Sequence, residues 1–286
     1  MANHVLLLGA GFSKNWGGLL AKEIMEHLYG RLQNCDHVSR LLRKSGNFEN
    51  ALSMVQLEHK NSRSLESATD LEILQNAISD VFDDMNSMFA SLTSIEVSNQ
   101  VLFSIQKFLS QFDAIFTLNQ DLLLELHYNI EIYGHPRWSG HSFPGMKPPA
   151  NWSNLLIWER IESVWVPSEE RRIGRGSQPI FKLHGSANWR DSDGGQLMVM
   201  GANKRGAIRE MEILDWYAAQ FSDYLTRPDS RLMIVGYSFL DQHINDAIYE
   251  AWESAQTGIF IVDCTPSAPM GQIVFWFKRE FLFILT

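Results

Sequence analysis

The feature that most constrains the fold is a set of five short apolar runs, each followed by glycine or by polar residues. The runs have the length of β-strands and are rich in β-branched or large apolar residues. They lie at residues 4–9, 112–117, 179–183, 231–236 and 258–263. They do not alternate between apolar and polar positions, which is typical of strands covered on both faces. Helical patterns separate them, so the sequence predicts an α/β protein with a Rossmann-like, mainly parallel sheet and helices on both faces.

The uneven spacing of the runs predicts how the domain is organised. The first two runs are separated by residues 18–111, which carry apolar residues at steps of three and four, as amphipathic helices do. Helices are predicted at residues 18–32, 47–58, 65–89 and 97–111. Because this segment is too long for a single crossover, we interpret it as a helical module inserted into one domain that spans residues 1–286.

The remainder of the core, residues 112–286, contains a region rich in tryptophan and proline at residues 134–178. We expect long loops in that region, with a short strand at residues 163–166. The helices predicted to cover the sheet lie at residues 206–225 and 241–254, with Asp241 or Ser238 as the cap of the second.

Composition narrows the classes of function. The net charge of −9 argues against a protein that binds nucleic acid or a membrane surface, since either needs an excess of Lys and Arg. No uncharged apolar run reaches the roughly 18 residues of a transmembrane helix, and the first residues lack the basic segment of a signal peptide. The two cysteines, Cys35 and Cys264, exclude a disulfide framework and a multi-cysteine zinc site. They suit the reducing cytoplasm, where we expect the protein.

Glycine-rich or polar residues occur at the carboxyl ends of all five predicted strands. In an open parallel sheet, ligands bind beyond these ends, so the five segments form a candidate binding crevice. The segments are GAGFS at residues 9–13, TLNQD at 117–121, HGS at 184–186, Tyr237 with Ser238, and Asp263.

Each segment also has a purely structural interpretation. The glycine-rich segment fits a loop that binds a pyrophosphate, but it also fits an ordinary tight turn, because Lys14 stands where the dinucleotide fingerprint has its third glycine. Asn119 and Asp121 fit either a polar pocket or the cap of the helix that follows. His184 fits either a base in the crevice or a structural histidine.

The joint order of the segments resembles that of the sirtuin family, in particular the divergent bacterial branch that cleaves NAD in anti-phage defence. GAGFS, TLNQD, KLHGS, VGYSF and IVD follow one another from Gly9 to Asp263, over most of the chain. The resemblance implies an enzyme that hydrolyses NAD, as its substrate, to nicotinamide and ADP-ribose, and we expect no metal.

The resemblance also implies roles for individual residues. It implies that Asn119 and His184 are catalytic: the amide positions a water or the ribose hydroxyls, and the imidazole accepts a proton. No general acid is needed, because nicotinamide leaves the cationic pyridinium as a neutral molecule. The residues implied to bind NAD are Gly9, Ala10, Gly11, Phe12 and Ser13 in the first loop, Asp121 at the carboxamide, Gly236, Tyr237 and Ser238 in the later loop, and Asp263, where the family has an Asn at the adenosine ribose.

Departures from the family pattern favour NAD hydrolysis over protein deacylation. The family's deacylases carry a four-cysteine zinc ribbon that shapes the acyl-lysine groove, and two distant cysteines cannot form it. KNWGG at residues 14–18 replaces the family's Pro-Asp-Phe-Arg, and Leu118 replaces its usual Gln. The alternatives are a non-catalytic sensor of NAD or ADP-ribose and, third, a protein deacylase. Retention of both Asn119 and His184 favours the enzyme over the sensor.

We also expect partner subunits. The aromatic stretch at residues 275–283 and the tryptophan-rich region predict apolar surface that one subunit cannot bury, and hence a homo-oligomer. The resemblance further implies an ATPase of the hexameric translocase type as a partner, because some relatives work with one. Direct binding of nucleic acid or membrane is not expected.

Overall fold

A parallel β-sheet forms the centre of the structure, a computed structural model that describes residues 2–95, 104–128, 137–201 and 203–262 and the backbone of Phe283–Leu285. The strands are β1 (Asn3–Leu8), β2 (Ala114–Thr117), β3 (Gly140–Ser142), β4 (Met146–Lys147), β5 (Val166–Pro167), β6 (Ser177–Lys182), β7 (Gly185–Arg190), β8 (Gln196–Met198), β9 (Ser230–Val235), β10 (Gly258–Val262) and β11 (Phe283–Leu285). Within the described residues the sheet has seven strands in the order β11-β10-β9-β1-β2-β6-β3, and each neighbouring pair is parallel. The predicted α/β, Rossmann-like fold is confirmed.

The five predicted strands are the five inner strands of this sheet, with ends that differ by no more than two residues. Burial explains why their apolar runs are continuous. In β1, the four residues from Val5 to Leu8 are all 0% exposed, and both edges of β1 pair with a neighbouring strand. A central strand of this kind has no solvent-facing side on which a polar residue would be favoured.

Helices surround the sheet, and most of them lie between β1 and β2. The helices are α1 (Ala10–Lys14), α2 (Ala21–Arg31), α3 (Asp36–Ser45), α4 (Phe48–Ser62), α5 (Leu65–Ser91), α6 (Ile105–Leu109), α7 (Leu123–His127), α8 (Ile157–Glu162), α9 (Lys204–Glu210), α10 (Glu212–Thr226) and α11 (Gln242–Ala255). Part of the helix predicted at residues 97–111 lies outside the described residues; α6 covers its end. None of the helices in the described part of the chain is long and apolar enough to cross a membrane.

Helix α3 was missed by the sequence analysis. It buries Val38, Leu41 and Leu42, which are spaced by three and four residues, against the neighbouring helices. It ends at Gly46, whose φ of 65° is the left-handed conformation that favours glycine after a helix. The apolar residues at helical spacing and the glycine after them are the sequence features that predict this helix.

The tryptophan-rich region contains loops and short elements. The short strand expected at residues 163–166 lies slightly later, as β5, with a backbone bridge between Trp165 and Trp189 just before it. Trp165 is buried, whereas Trp158 is 60% exposed. The hairpin of β7 and β8 was not predicted, because its sequence lacks a continuous apolar run.

The strand order reverses between β1 and β9. The chain leaves β1 towards β2 and β6 on one side of the sheet and returns on the other side to form β9, β10 and β11. The loops that follow β1 and β9 therefore lead away from each other, towards opposite edges of the sheet. This leaves a crevice between them at the carboxyl ends of the two strands. The residues that follow β1 and β9 are therefore the ones placed to meet a ligand.

Candidate functional site

Two glycine-containing loops meet backbone to backbone at this crevice. The first glycine loop, residues 9–13, follows β1 and includes most of the short helix α1, and the second glycine loop, residues 236–240, follows β9. The Gly11 N–H donates to the Gly236 carbonyl oxygen at 2.9 Å. A Cβ on Gly9 would lie 2.5 Å from that same oxygen, and a Cβ on Gly11 would lie 2.7 Å from the Gly236 Cα. Glycine is therefore required where the two loops touch.

The substitution Gly236→Ala is expected to disrupt this contact. Gly236 has a φ of 64°, and a Cβ there would lie 2.5 Å from the backbone nitrogen of Phe12. Backbone strain of this kind costs about 1–3 kcal/mol, and the clash adds to it. We expect a lower Tm and at least tenfold weaker binding of NAD, the ligand that the resemblance implies, measured by thermal unfolding and calorimetry.

Gly30→Ala is the matched control for that substitution. Gly30 lies within α2, and no atom approaches the position of its added Cβ within 4 Å. Replacing glycine by alanine in a helix stabilises it by up to about 1 kcal/mol. Unchanged NAD binding by Gly236→Ala, with the control also unchanged, would show that the loop contact has no part in binding.

The donors of the first glycine loop are partly used within the protein. The N–H of Gly11 is bound to Gly236, and the N–H of Phe12 donates to the Gly9 carbonyl oxygen at 2.9 Å. Phe12 and Ser13 are buried, whereas Ala10 is exposed. The side of the loop at Ala10 is thus the side that faces outward.

Asn119 and Asp121, which follow β2, are tied to this loop by hydrogen bonds. The Asn119 side-chain amide donates to the Gly9 carbonyl oxygen at 3.0 Å and to the Ser13 hydroxyl at 2.9 Å. The Ser13 hydroxyl in turn donates to Asp121 Oδ2 at 2.8 Å. Asp121 Oδ1 accepts a hydrogen bond from the N–H of Leu123 at the start of α7, at 3.1 Å. Asp121 lies one residue before Leu122, the N-cap residue of α7, and its carboxylate both satisfies the first N–H of the helix and joins the polar cluster.

A buried ion pair lies beneath these residues. Lys182 at the end of β6 donates to Glu125 Oε1 at 2.6 Å and to the carbonyl oxygen of Asp121. The side chains of Lys182 and Glu125 are 1% and 0% exposed. Burial raises the pKa of the Asp121 and Glu125 carboxyls, and the charge of Lys182 opposes both shifts. Sequence analysis missed this pair, although a lysine within an apolar strand was a signal for it.

His184 lies two residues beyond β6, level with Asn119 beyond β2. The two strands pair in register at Thr117 and Lys182, so their carboxyl ends bring both side chains to the same edge of the sheet. Gly185 then turns the chain into the β7–β8 hairpin with a φ of 76°, where a Cβ would lie 1.9 Å from the Leu197 carbonyl oxygen.

The His184 imidazole is neutral at neutral pH. Burial lowers its pKa to about 3, and the nearby Asp241 carboxylate opposes that shift. A neutral imidazole is the form that accepts a proton or a hydrogen bond. Its Nε2 lies 3.2 Å from the Nε2 of His243, so one ring donates a hydrogen bond to the other.

His243 belongs to a polar cluster whose sequence, residues 241–245, is interpreted first as a helix start, with a supporting role near the second glycine loop as the alternative. Asp241 is at the cap position of α11, but its side chain accepts from Lys204 Nζ at 2.7 Å instead of capping the helix. Lys204 also pairs with Glu49 Oε1 at 2.9 Å. The two histidines are 59 residues apart in sequence, and no spacing pattern links them.

A crevice open to solvent would leave Asn119 and His184 exposed, but the structure buries both side chains. Asn119 is 9% exposed and His184 is 2% exposed. Asn119 is covered because it bonds to the first glycine loop, and His184 is covered because α11 and the end of the β7–β8 hairpin pack against it.

The remaining candidate residues lie in or beyond the second glycine loop. Tyr237 is buried, and its hydroxyl donates to Asn245 Oδ1 at 3.0 Å, which fixes the loop to α11. Ser238 is exposed. Phe239 has a φ of 57°, an uncommon conformation for a bulky residue that often marks a functional loop. Asp263 lies outside the described residues.

Comparison with protein-family models matches residues 113–271 to the SIR2-like domain. The matched segment is more than half of the chain. It begins at the start of β2 and includes Asn119, His184, the second glycine loop and His243, while the first glycine loop precedes it. The search of curated proteins returned no match.

Proposed function

Since the chain belongs to the SIR2-like domain family, whose members are NAD-dependent enzymes, we propose that it is an NAD glycohydrolase. It cleaves NAD to nicotinamide and ADP-ribose. The observation that carries the proposal is the convergence of the first glycine loop, Asn119 and Asp121 in one hydrogen-bonded cluster, with His184 on the adjacent strand end. The carboxyl edge of a Rossmann-like sheet is where a dinucleotide binds.

The chemistry of the bond fits this small set of groups. The glycosidic bond joins a ribose to a cationic pyridinium, and nicotinamide leaves as a neutral molecule. The paired carboxylates of an ordinary glycosidase, one of which protonates the leaving group, are therefore unnecessary. In the proposed mechanism, Asn119 positions the water or the ribose hydroxyls, and neutral His184 accepts the proton released from them. Asp121 binds the carboxamide amine of the nicotinamide.

Access to the site requires local movement. Asn119, Asp121 and His184 are each less than one-tenth exposed, so NAD cannot reach all three without displacement of the groups that cover them. We propose that the second glycine loop moves, because it carries the exposed Ser238 and a Leu240 that is 75% exposed. Such a step is a natural point of control for an enzyme whose activity depletes NAD.

Product analysis tests the proposed reaction. A deacylase uses the acyl-lysine oxygen as its nucleophile, so it releases nicotinamide only when an acyl-peptide is present. Because the chain has too few cysteines for the zinc ribbon that shapes the peptide groove, we expect water to be the acceptor. Chromatography should show nicotinamide and free ADP-ribose in equal amounts, at the same rate with and without acetyl-lysine peptide.

The other outcomes of this assay identify the alternatives. Strict dependence on the peptide, with an O-acyl product, would establish a deacylase. Saturable NAD binding without nicotinamide release, in every assembly state, would establish a sensor. Three further expectations stay predictions: an NAD-depleting role in anti-phage defence, a homo-oligomer, and a translocase-type ATPase partner. Light scattering tests for the homo-oligomer, and co-purification tests for the ATPase partner.

A further inference from the structure

His184 of the candidate site and two side chains beside it form a group that could hold a metal ion. The ligand atoms of His184, Asp241 and His243 all lie within 4.8 Å of one another. They come from separate parts of the fold: His184 follows β6, whereas Asp241 and His243 are at the start of α11. Neither the family match nor the proposed reaction requires His243 or Asp241.

We propose that His184, His243 and Asp241 bind a zinc-like divalent ion and that this ion inhibits the enzyme. The inhibitory part rests on the proposed function, since it requires His184 to act as the base. Binding of the ion occupies the Nε2 lone pair that would otherwise accept a proton. The metal is therefore a regulator that competes with catalysis and supplies no part of it.

The distances between ligand atoms support this assignment. Tetrahedral zinc with Zn–N bonds of 2.0–2.1 Å places two nitrogen ligands about 3.3 Å apart. The Nε2 atoms of His184 and His243 are 3.2 Å apart. Two imidazole nitrogens that face each other at this distance need either a proton or a metal ion between them. A carboxylate oxygen of Asp241 lies within 4.8 Å of a nitrogen of each ring, so a small movement of its side chain brings it to the same ion.

The surroundings support an ion of this type. Imidazole nitrogens favour zinc, cobalt and nickel over magnesium and calcium. Lys204 holds Asp241 Oδ1 at 2.7 Å, and we assign the other oxygen, Oδ2, to the metal. Lys204 is itself held by Glu49, so the carboxylate ligand is oriented by a second layer of contacts, as in many metal sites. Asp241 and His243 are partly exposed, which gives the ion a route from solvent.

Cobalt titration of the full chain tests binding without any reference to NAD. Metal-free protein titrated with Co²⁺ should develop the visible d–d bands of a tetrahedral site, with one ion per chain. Zn²⁺ should displace the Co²⁺. His243→Ala and Asp241→Asn should each weaken binding at least about tenfold.

The control is His37→Ala, because His37 is also close to two carboxylates. Its Nδ1 lies 2.7 Å from Asp70, and its Nε2 lies 3.5 Å from Glu58. This control should bind Co²⁺ like the wild type. Absence of Co²⁺ and Zn²⁺ binding, or equal binding by folded His243→Ala, would overturn the inference and leave the histidine pair as a hydrogen bond.

A second measurement tests inhibition. The ratio of NAD cleavage rates with a chelator and with Zn²⁺ is measured for each variant, so that a change in basal activity cancels. The wild-type ratio should exceed about tenfold, and the ratio for His243→Ala should approach one. Metal binding without any NAD cleavage would reject the proposed function and leave the site intact; metal binding without inhibition of an active enzyme would reject the inhibitory role.

Discussion

Replacing Asn119 or His184 by alanine is expected to lower the rate of NAD cleavage by about two to four orders of magnitude, the usual cost of losing a positioned catalytic group. Asn119 is fixed by two hydrogen bonds to the first glycine loop, and His184 lies level with it on the neighbouring strand end. Because the Asn119 amide positions the water or the ribose hydroxyls and the His184 imidazole accepts their proton, neither can substitute for the other. Turnover of each variant is measured by nicotinamide release.

Folding must be measured beside turnover, because both side chains are buried. Removing the Asn119 amide takes one hydrogen bond from the Gly9 carbonyl oxygen and one from the Ser13 hydroxyl, each worth about 0.5–1.5 kcal/mol, although Phe12 still donates to the first and the second still donates to Asp121. His141→Ala is the matched control for His184. His141 is a half-buried histidine in strand β3, whose pKa burial lowers to about 4, but its ring packs on Tyr128, away from the candidate site. Near-wild-type turnover by a folded Asn119 or His184 variant would remove that residue from the proposed mechanism.

The main sheet could be predicted because buried strands appear in the sequence as continuous apolar runs. Strands that pair on both edges and are covered on both faces must be apolar throughout, so β1, β2 and β9 are readable as runs. The strands β7 and β8 have no such trace, because they form a two-stranded hairpin beside the main sheet. Their position depends on Gly185 and on contacts with distant segments.

The candidate site was predictable to the extent that it follows strand ends. The sequence places Asn119 and His184 directly after apolar runs, and parallel pairing then brings them to one edge. The contact between His184 and His243 has no comparable local signal, because it depends on how α11 packs. The burial of Asn119 and His184 could not be predicted from the sequence either, since polar residues that follow a strand are exposed in many folds.

The Lys182–Glu125 pair yields the largest expected effect on stability. Lys182→Met removes the cation and leaves Glu125 buried, with its Oε2 lacking a hydrogen-bond partner among the described residues. Breaking a buried pair from one side costs about 3–5 kcal/mol, because the remaining charge is uncompensated. Urea unfolding should therefore show a large loss for Lys182→Met. Arg172→Met, which breaks the exposed pair with Glu170, should cost about 1 kcal/mol or less.

The double variant Lys182→Met/Glu125→Leu separates the charge effect from packing. If the cost arises from an unpaired carboxyl, removing Glu125 as well should restore most of the lost stability, because two apolar side chains then replace the buried pair. If the two single losses simply add, the pair contributes through shape alone and the electrostatic explanation is wrong.

The pH dependence gives an independent check of the same explanation. Burial raises the pKa of Glu125 above its ordinary value of 4.5, and Lys182 opposes that shift. Without Lys182, the folded protein keeps the carboxyl protonated to higher pH, whereas the unfolded chain loses the proton near its ordinary pKa. As the pH rises above about 4.5, the unfolded state of Lys182→Met therefore binds fewer protons than its folded state, and its stability falls. The loss relative to wild type should accordingly be smaller near pH 4.5 than at pH 7, and an equal loss at both values would contradict the assignment of the cost to Glu125.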